Sequence, residues 1–91
     1  MDYNQNLLKE KIAKALTEVI SRNVQPSELT DKVNLIDEIG LNSLQFLEFI
    51  LELENEFDVE IDVGSLDLRY FKQYMHLEKF IKESIEKNGT N

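Results

Sequence analysis

The chain has 91 residues, a net charge of −8 and no cysteine. That length allows one small domain with a thin core, and the missing thiol excludes disulfides, Cys-ligated zinc and a cysteine nucleophile. The acidity repels nucleic-acid backbones and anionic lipid, and it attracts basic protein surfaces.

Hydrophobic residues make up 42% and charged residues 31%, a balance that supports a folded domain rather than a disordered chain. Pro26 is the only proline, and few breakers with a helical apolar period predict an all-α fold. The first helix is expected over about 4–21, where Leu8, Ile12, Ala15, Leu16 and Val19 share a face. Residues 22–42 read as a long ordered loop packed on the core, because Leu29, Val33, Leu35, Ile36, Ile39 and Leu41 recur through it, with a turn near Thr30. The second helix is expected over 43–57, with Asn42 as N-cap and Gln45 three places on, as in a capping box. Residues 58–62 alternate like a strand but have no pairing partner in the chain. A short helix at about 65–68 and a last helix at about 73–87 follow, the latter with Tyr74, Leu77, Ile81 and Ile85 as its stripe. The expectation is a single domain over 1–91, a small four-helix bundle of three main helices and one short one.

The second helix carries more apolar residues than one stripe requires. At about 100° per residue, Phe46, Phe49, Ile50, Leu53 and Phe57 form one arc, and Leu44, Leu47 and Leu51 form another. Either the helix is buried on more than one side, or the second arc stays partly exposed beside carboxylates and meets a partner. The sequence leaves both readings open. Glu48, Glu52 and Glu56 are like charges at i,i+4, which local stability alone does not favour. A docking surface for Arg- and Lys-bearing partners explains them. The acidic run lacks the glycine-bearing loop of a calcium hand, so no metal site is assigned.

Ser43 opens this helix in the context Gly40-Leu41-Asn42-Ser43-Leu44. A hydrolase serine would stand in Gly-x-Ser-x-Gly with a histidine partner. Neither glycine is in place, and His76 is the single histidine, so no catalytic residue is assigned. A helix-start serine is usually a plain cap, but a phosphate ester there would meet the positive end of the helix dipole. No run of about 18 apolar residues predicts a membrane span. The N-terminus lacks a signal-peptide pattern, so a cytoplasmic monomer is expected.

The stretch from Gly40 through Glu48, followed by Leu53-Glu54-Asn55-Glu56-Phe57 and Ile61, resembles acyl carrier proteins and peptidyl carrier domains. In that family an Asp-Ser-Leu motif opens the second helix and a Leu-Glu-x-Glu-Phe pattern closes it before an isoleucine. The resemblance covers nearly the whole chain. It implies an acyl-carrier type of bundle and 4′-phosphopantetheine, drawn from coenzyme A by a phosphopantetheinyl transferase, on Ser43. It also implies that Leu44, Leu47, Glu48, Leu51 and Glu54 face partners, namely loading ligases and synthase enzymes with basic docking surfaces. The chain would then be a non-catalytic carrier of acyl or aminoacyl thioesters.

Two departures stand out. Asn42 replaces the usual aspartate before the serine, and Asp62 stands where a proline is familiar. With the aromatic segment Leu66-Asp67-Leu68-Arg69-Tyr70-Phe71, these features look more like a carrier from a specialised nonribosomal-peptide or polyketide-type pathway. A fatty-acid carrier is the alternative within the family. An unmodified acidic interaction module is the alternative outside it.

Overall fold

The computed structural model describes residues 5–61, 67 and 72–89. They form three α-helices: α1, Gln5–Ile20; α2, Ser43–Phe57; and α3, Tyr74–Gly89. A 3-10 turn covers Pro26–Glu28. The short helix expected at about 65–68 lies, Asp67 apart, outside the described residues. The described part of the chain is helical, as the apolar period predicts, and none of its helices is long and apolar enough to cross a membrane.

One hydrophobic cluster holds the helices together. It takes Leu8, Ile12 and Leu16 from α1, Phe49, Ile50 and Leu53 from α2, and Leu77 and Ile81 from α3, all without solvent exposure. Each set contains pairs three or four residues apart, the spacing that puts side chains on one helix face. α1 and α2 pack directly against each other. Past α2 the chain keeps an alternating pattern without a strand ladder. Val59 and Ile61 point inward, while Asp58 and Glu60 stay exposed.

The α1–α2 connection is ordered by side chains that serve backbone groups. α1 closes with the Ser21 N–H donating to the Thr17 carbonyl at 3.0 Å, and the left-handed backbone of Ser21 (φ 57°) then turns the chain out of the helix. The Thr17 hydroxyl donates to the Ala13 carbonyl and accepts the Val24 N–H, both at 2.9 Å. Further on, the Asn34 side-chain oxygen accepts the N–H groups of Ile36 (2.9 Å) and Asp37 (2.8 Å), an Asx turn. Backbone bonds then clip this loop to the start of α3. The N–H of Leu35 donates to the Lys72 carbonyl at 2.7 Å, that of Tyr74 to Val33 at 3.0 Å and that of Met75 to Asp31 at 3.0 Å. A loop carrying buried Leu29, Val33, Leu35 and Ile39 thus becomes a wall of the core.

Electrostatics across α1 and α2 is mixed. Glu56 accepts ion pairs from Lys14 (3.3 Å) and Lys11 (3.8 Å). Glu52 instead meets Glu18. The neighbouring Glu18 carboxyl, then desolvation, then the charge of Glu56 push its pKa up, while Lys14 acts the other way. In α3 the fully buried Tyr74 phenol is also pushed up, by burial first and then by Glu78, although its hydroxyl has no partner in good hydrogen-bond geometry.

The sign for Glu52 follows from linkage. A carboxyl raised in the folded state holds more protons there than in the unfolded chain. Stability therefore rises as pH falls through the raised value toward the unfolded one. Glu52→Gln should raise the thermal midpoint by about 1–3 °C at pH 7, and the gain should shrink as pH falls into the carboxylate range. Thermal melts across pH check this; a variant no more stable than wild type at pH 7 would contradict it.

Candidate functional site

The chain is steered into α2 by three residues. Gly40 sits at φ +102°, a conformation that side-chain-bearing residues avoid. A Cβ there would meet nothing within 4 Å, so the dihedral and not the space selects glycine. Its N–H and that of Leu41 both donate to the Leu35 carbonyl, at 3.2 and 3.0 Å. Leu41 is buried, while Asn42, Ser43 and Leu44 are exposed.

Asn42 is the N-cap, with extended backbone (φ −88°, ψ 177°). Its side-chain oxygen accepts the Gln45 N–H at 2.8 Å, and its own N–H donates to the Gln45 side-chain oxygen at 3.1 Å. The box satisfies two backbone donors reciprocally and fixes the first turn. Ser43 is the first residue of α2 and points into solvent. No acidic residue stands in that turn. An exposed hydroxyl at the positive end of a helix dipole, flanked by neutral amides, suits an esterified phosphate.

The two arcs of α2 separate cleanly. Phe46, Phe49, Ile50, Leu53 and Phe57 are buried. Leu44, Leu47 and Leu51 are 67%, 43% and 53% exposed. These leucines follow i, i+3 and i+7, so they line one face that starts beside Ser43. Exposed Glu48 shares that face.

The other acidic residues of α2 differ in what they do. Glu54 is half-buried, and its carboxylate accepts the Ile61 N–H at 2.7 Å. Its backbone carbonyl also takes the N–H of Asp58, whose left-handed conformation (φ 53°) caps the helix, and that of Val59 at 3.2 Å. Glu54 therefore organises the chain leaving α2. Glu56 is committed to the α1 lysines. Sequence reasoning did not foresee the Glu54 tie, because its partner is a backbone N–H seven residues away. It also passed over Met75, which is 43% exposed; its place off the Tyr74, Leu77, Ile81 stripe was the available signal. His76 lies in the first turn of α3 and is half-buried. Among the described residues, no group of three or more His, Asp or Glu side chains is arranged to hold a metal ion.

Glu54→Ala leaves the part-buried Ile61 N–H without its acceptor and should lower unfolding free energy by about 1–2 kcal/mol. Glu48→Ala, on the open face, should change it by less than about 0.5 kcal/mol. Urea denaturation of the two variants distinguishes them; equal losses would contradict the division.

The sequence is similar to known proteins. Residues 10–71 match the family described as a phosphopantetheine attachment site, and the match includes Ser43. The acyl carrier protein of Phenylobacterium zucineum is 35% identical over 76 residues, covering 84% of this chain and 91% of that protein. The acyl carrier protein of Thermotoga maritima is 31% identical over 61 residues, covering 65% of this chain and 75% of that protein. With an exposed serine opening α2 and a family match spanning most of its length, the chain belongs to the acyl carrier protein family and is a carrier of covalently attached 4′-phosphopantetheine.

Proposed function

We propose that Ser43 is the attachment residue and that the exposed face of α2 receives the enzymes that load and use the arm. The observation that carries this reading is the exposure of Ser43 at the first position of α2, in the Asn42-Ser43-Leu44 context, within the matched residues. On transfer, the Ser43 oxygen forms the new phosphoester bond, the pyrophosphate bond of coenzyme A breaks, the nucleotide bisphosphate leaves, and the hydroxyl proton passes to a base on the transferase. The arm, once attached, supplies a terminal thiol that holds acyl groups as thioesters.

The chain's own residues then present and do not react. Leu44, Leu47 and Leu51 give a partner an apolar contact next to the attachment point, and Glu48 gives a basic partner surface an ion pair at its rim. Tethering raises the local concentration of the cargo at each enzyme, and that proximity is the carrier's contribution to rate. With Glu54 occupied by the Ile61 N–H, we assign recognition chiefly to the three leucines and Glu48. The first visitor is a phosphopantetheinyl transferase. Loading ligases and synthase enzymes follow, in a cytoplasmic setting where coenzyme A is available, with the carrier acting as a monomer and performing no catalysis.

Incubating the apo protein with coenzyme A, Mg²⁺ and a broad transferase should add one phosphopantetheine to the intact mass, and Ser43→Ala should abolish the gain completely. A full gain on the alanine variant would overturn the assignment.

We further assign the carrier to a specialised nonribosomal-peptide or polyketide-type pathway. The support is Asn42 before the serine, Asp62 in place of a proline, and the aromatic run of residues 66–71. Fatty-acid synthesis is the second reading, and the two relatives named above are called acyl carrier proteins without a stated pathway. Intact-mass analysis of thioesters on protein taken from its own cells should find cargo other than ordinary fatty acyl chains. A predominance of such chains would reverse the pathway assignment and leave the carrier role standing.

A further inference from the structure

The charge along α2 runs against its dipole. A helix is stabilised by anions at its first turn and cations at its last. α2 has no acidic residue in its first turn and no basic residue in its last. Its carboxylates, Glu48, Glu52, Glu54 and Glu56, all lie beyond that first turn, and three of them fall in the final six residues. The two side chains that close the first turn, Asn42 and Gln45, are both neutral amides. An aspartate at the cap would satisfy the same N–H and add the missing charge. The asparagine keeps the hydrogen bond and leaves the charge out.

Resting on the assignment of Ser43 as attachment residue, we infer that the arm's phosphodiester is the missing N-terminal anion of α2, and that modification stabilises the recognition helix. Asn42 and Gln45 are positioning residues in this arrangement. They hold the first turn in register while adding no negative charge that would repel an ester at the next position. The consequence is a link between modification and the partner surface. Leu44, the most exposed of the three leucines, lies in the turn that the new charge steadies. The apo chain presents a first turn held by its capping box and by the buried Leu41 and Phe46, and the modified chain presents the same turn with its dipole complemented. Partners that use the arm therefore meet a firmer α2 than the transferase does.

The test compares full-length apo protein with protein modified through coenzyme A and a broad transferase, each state verified by intact mass. The modified form should melt about 2–6 °C above the apo form at low salt. Molar salt should erode the gain, because charge–dipole interactions are screened. In Asn42→Asp the apo form should melt higher than wild-type apo protein, and its gain on modification should fall by roughly half or more. Equal midpoints for apo and modified wild type, or a gain that Asn42→Asp leaves intact, would overturn the inference. A second comparison needs no transferase. Apo Ser43→Asp, an anion at the same position without an arm, should melt about 1–4 °C above apo Ser43→Asn. Identical midpoints there would also overturn it. A wild-type mass that never changes would sink the attachment assignment, and the aspartate–asparagine pair would still decide the electrostatic claim.

Discussion

Burial of one face of α2 sets the rest of the molecule. Five of its large apolar side chains go inward, from Phe46 to Phe57, and they meet residues of α1 and α3 in a single cluster. A chain of 91 residues has too little mass to enclose a second face as well. Because a helix advances about 100° per residue, committing those five fixes the direction of every other side chain on it. Leu44, Leu47 and Leu51 must then face solvent, and Ser43 must open the helix at its rim. The exposed leucines are a geometric consequence of how the core is filled, and the docking face proposed for partners is that consequence put to use.

The loop before α2 does the positioning that helices cannot. Asn34, and Thr17 from the end of α1, spend their side chains on backbone groups, and Gly40 supplies a positive φ just before Leu41 enters the core. Backbone bonds from Leu35 to Lys72 and from Tyr74 to Val33 tie this loop to α3. The start of α2 is thus anchored on both sides, by Leu41 and Phe46 inside and by the Asn42–Gln45 box outside. With the arm at Ser43, as proposed, the attachment point would move with the body of the domain, and a partner docked on α2 would find the arm at a fixed place.

Much of this was legible in the residues. The N-cap at Asn42 and the partner at Gln45 could be read because capping chemistry is local, within one turn. The two arcs of α2 were visible in its period, but which of them stays outside was not, since that depends on what the other helices cover. The acidic run was the least legible. Glu48, Glu54 and Glu56 look alike in sequence, yet one faces solvent, one accepts the Ile61 N–H and one pairs with Lys11 and Lys14. Each of those roles is set by groups on another element or beyond the helix end. Glu52 facing Glu18 is the same lesson with the opposite sign, a repulsion that no helical wheel of α2 contains.

The account stands on Ser43 being the one residue esterified in the living cell. Peptide mapping of protein purified from its own source, with fragmentation that ejects pantetheine, locates the arm directly. The account predicts the signal on the peptide that contains Ser43 and on no other. An arm found on a different serine, such as Ser27 or Ser84, or mature protein with no arm on any peptide, would contradict it.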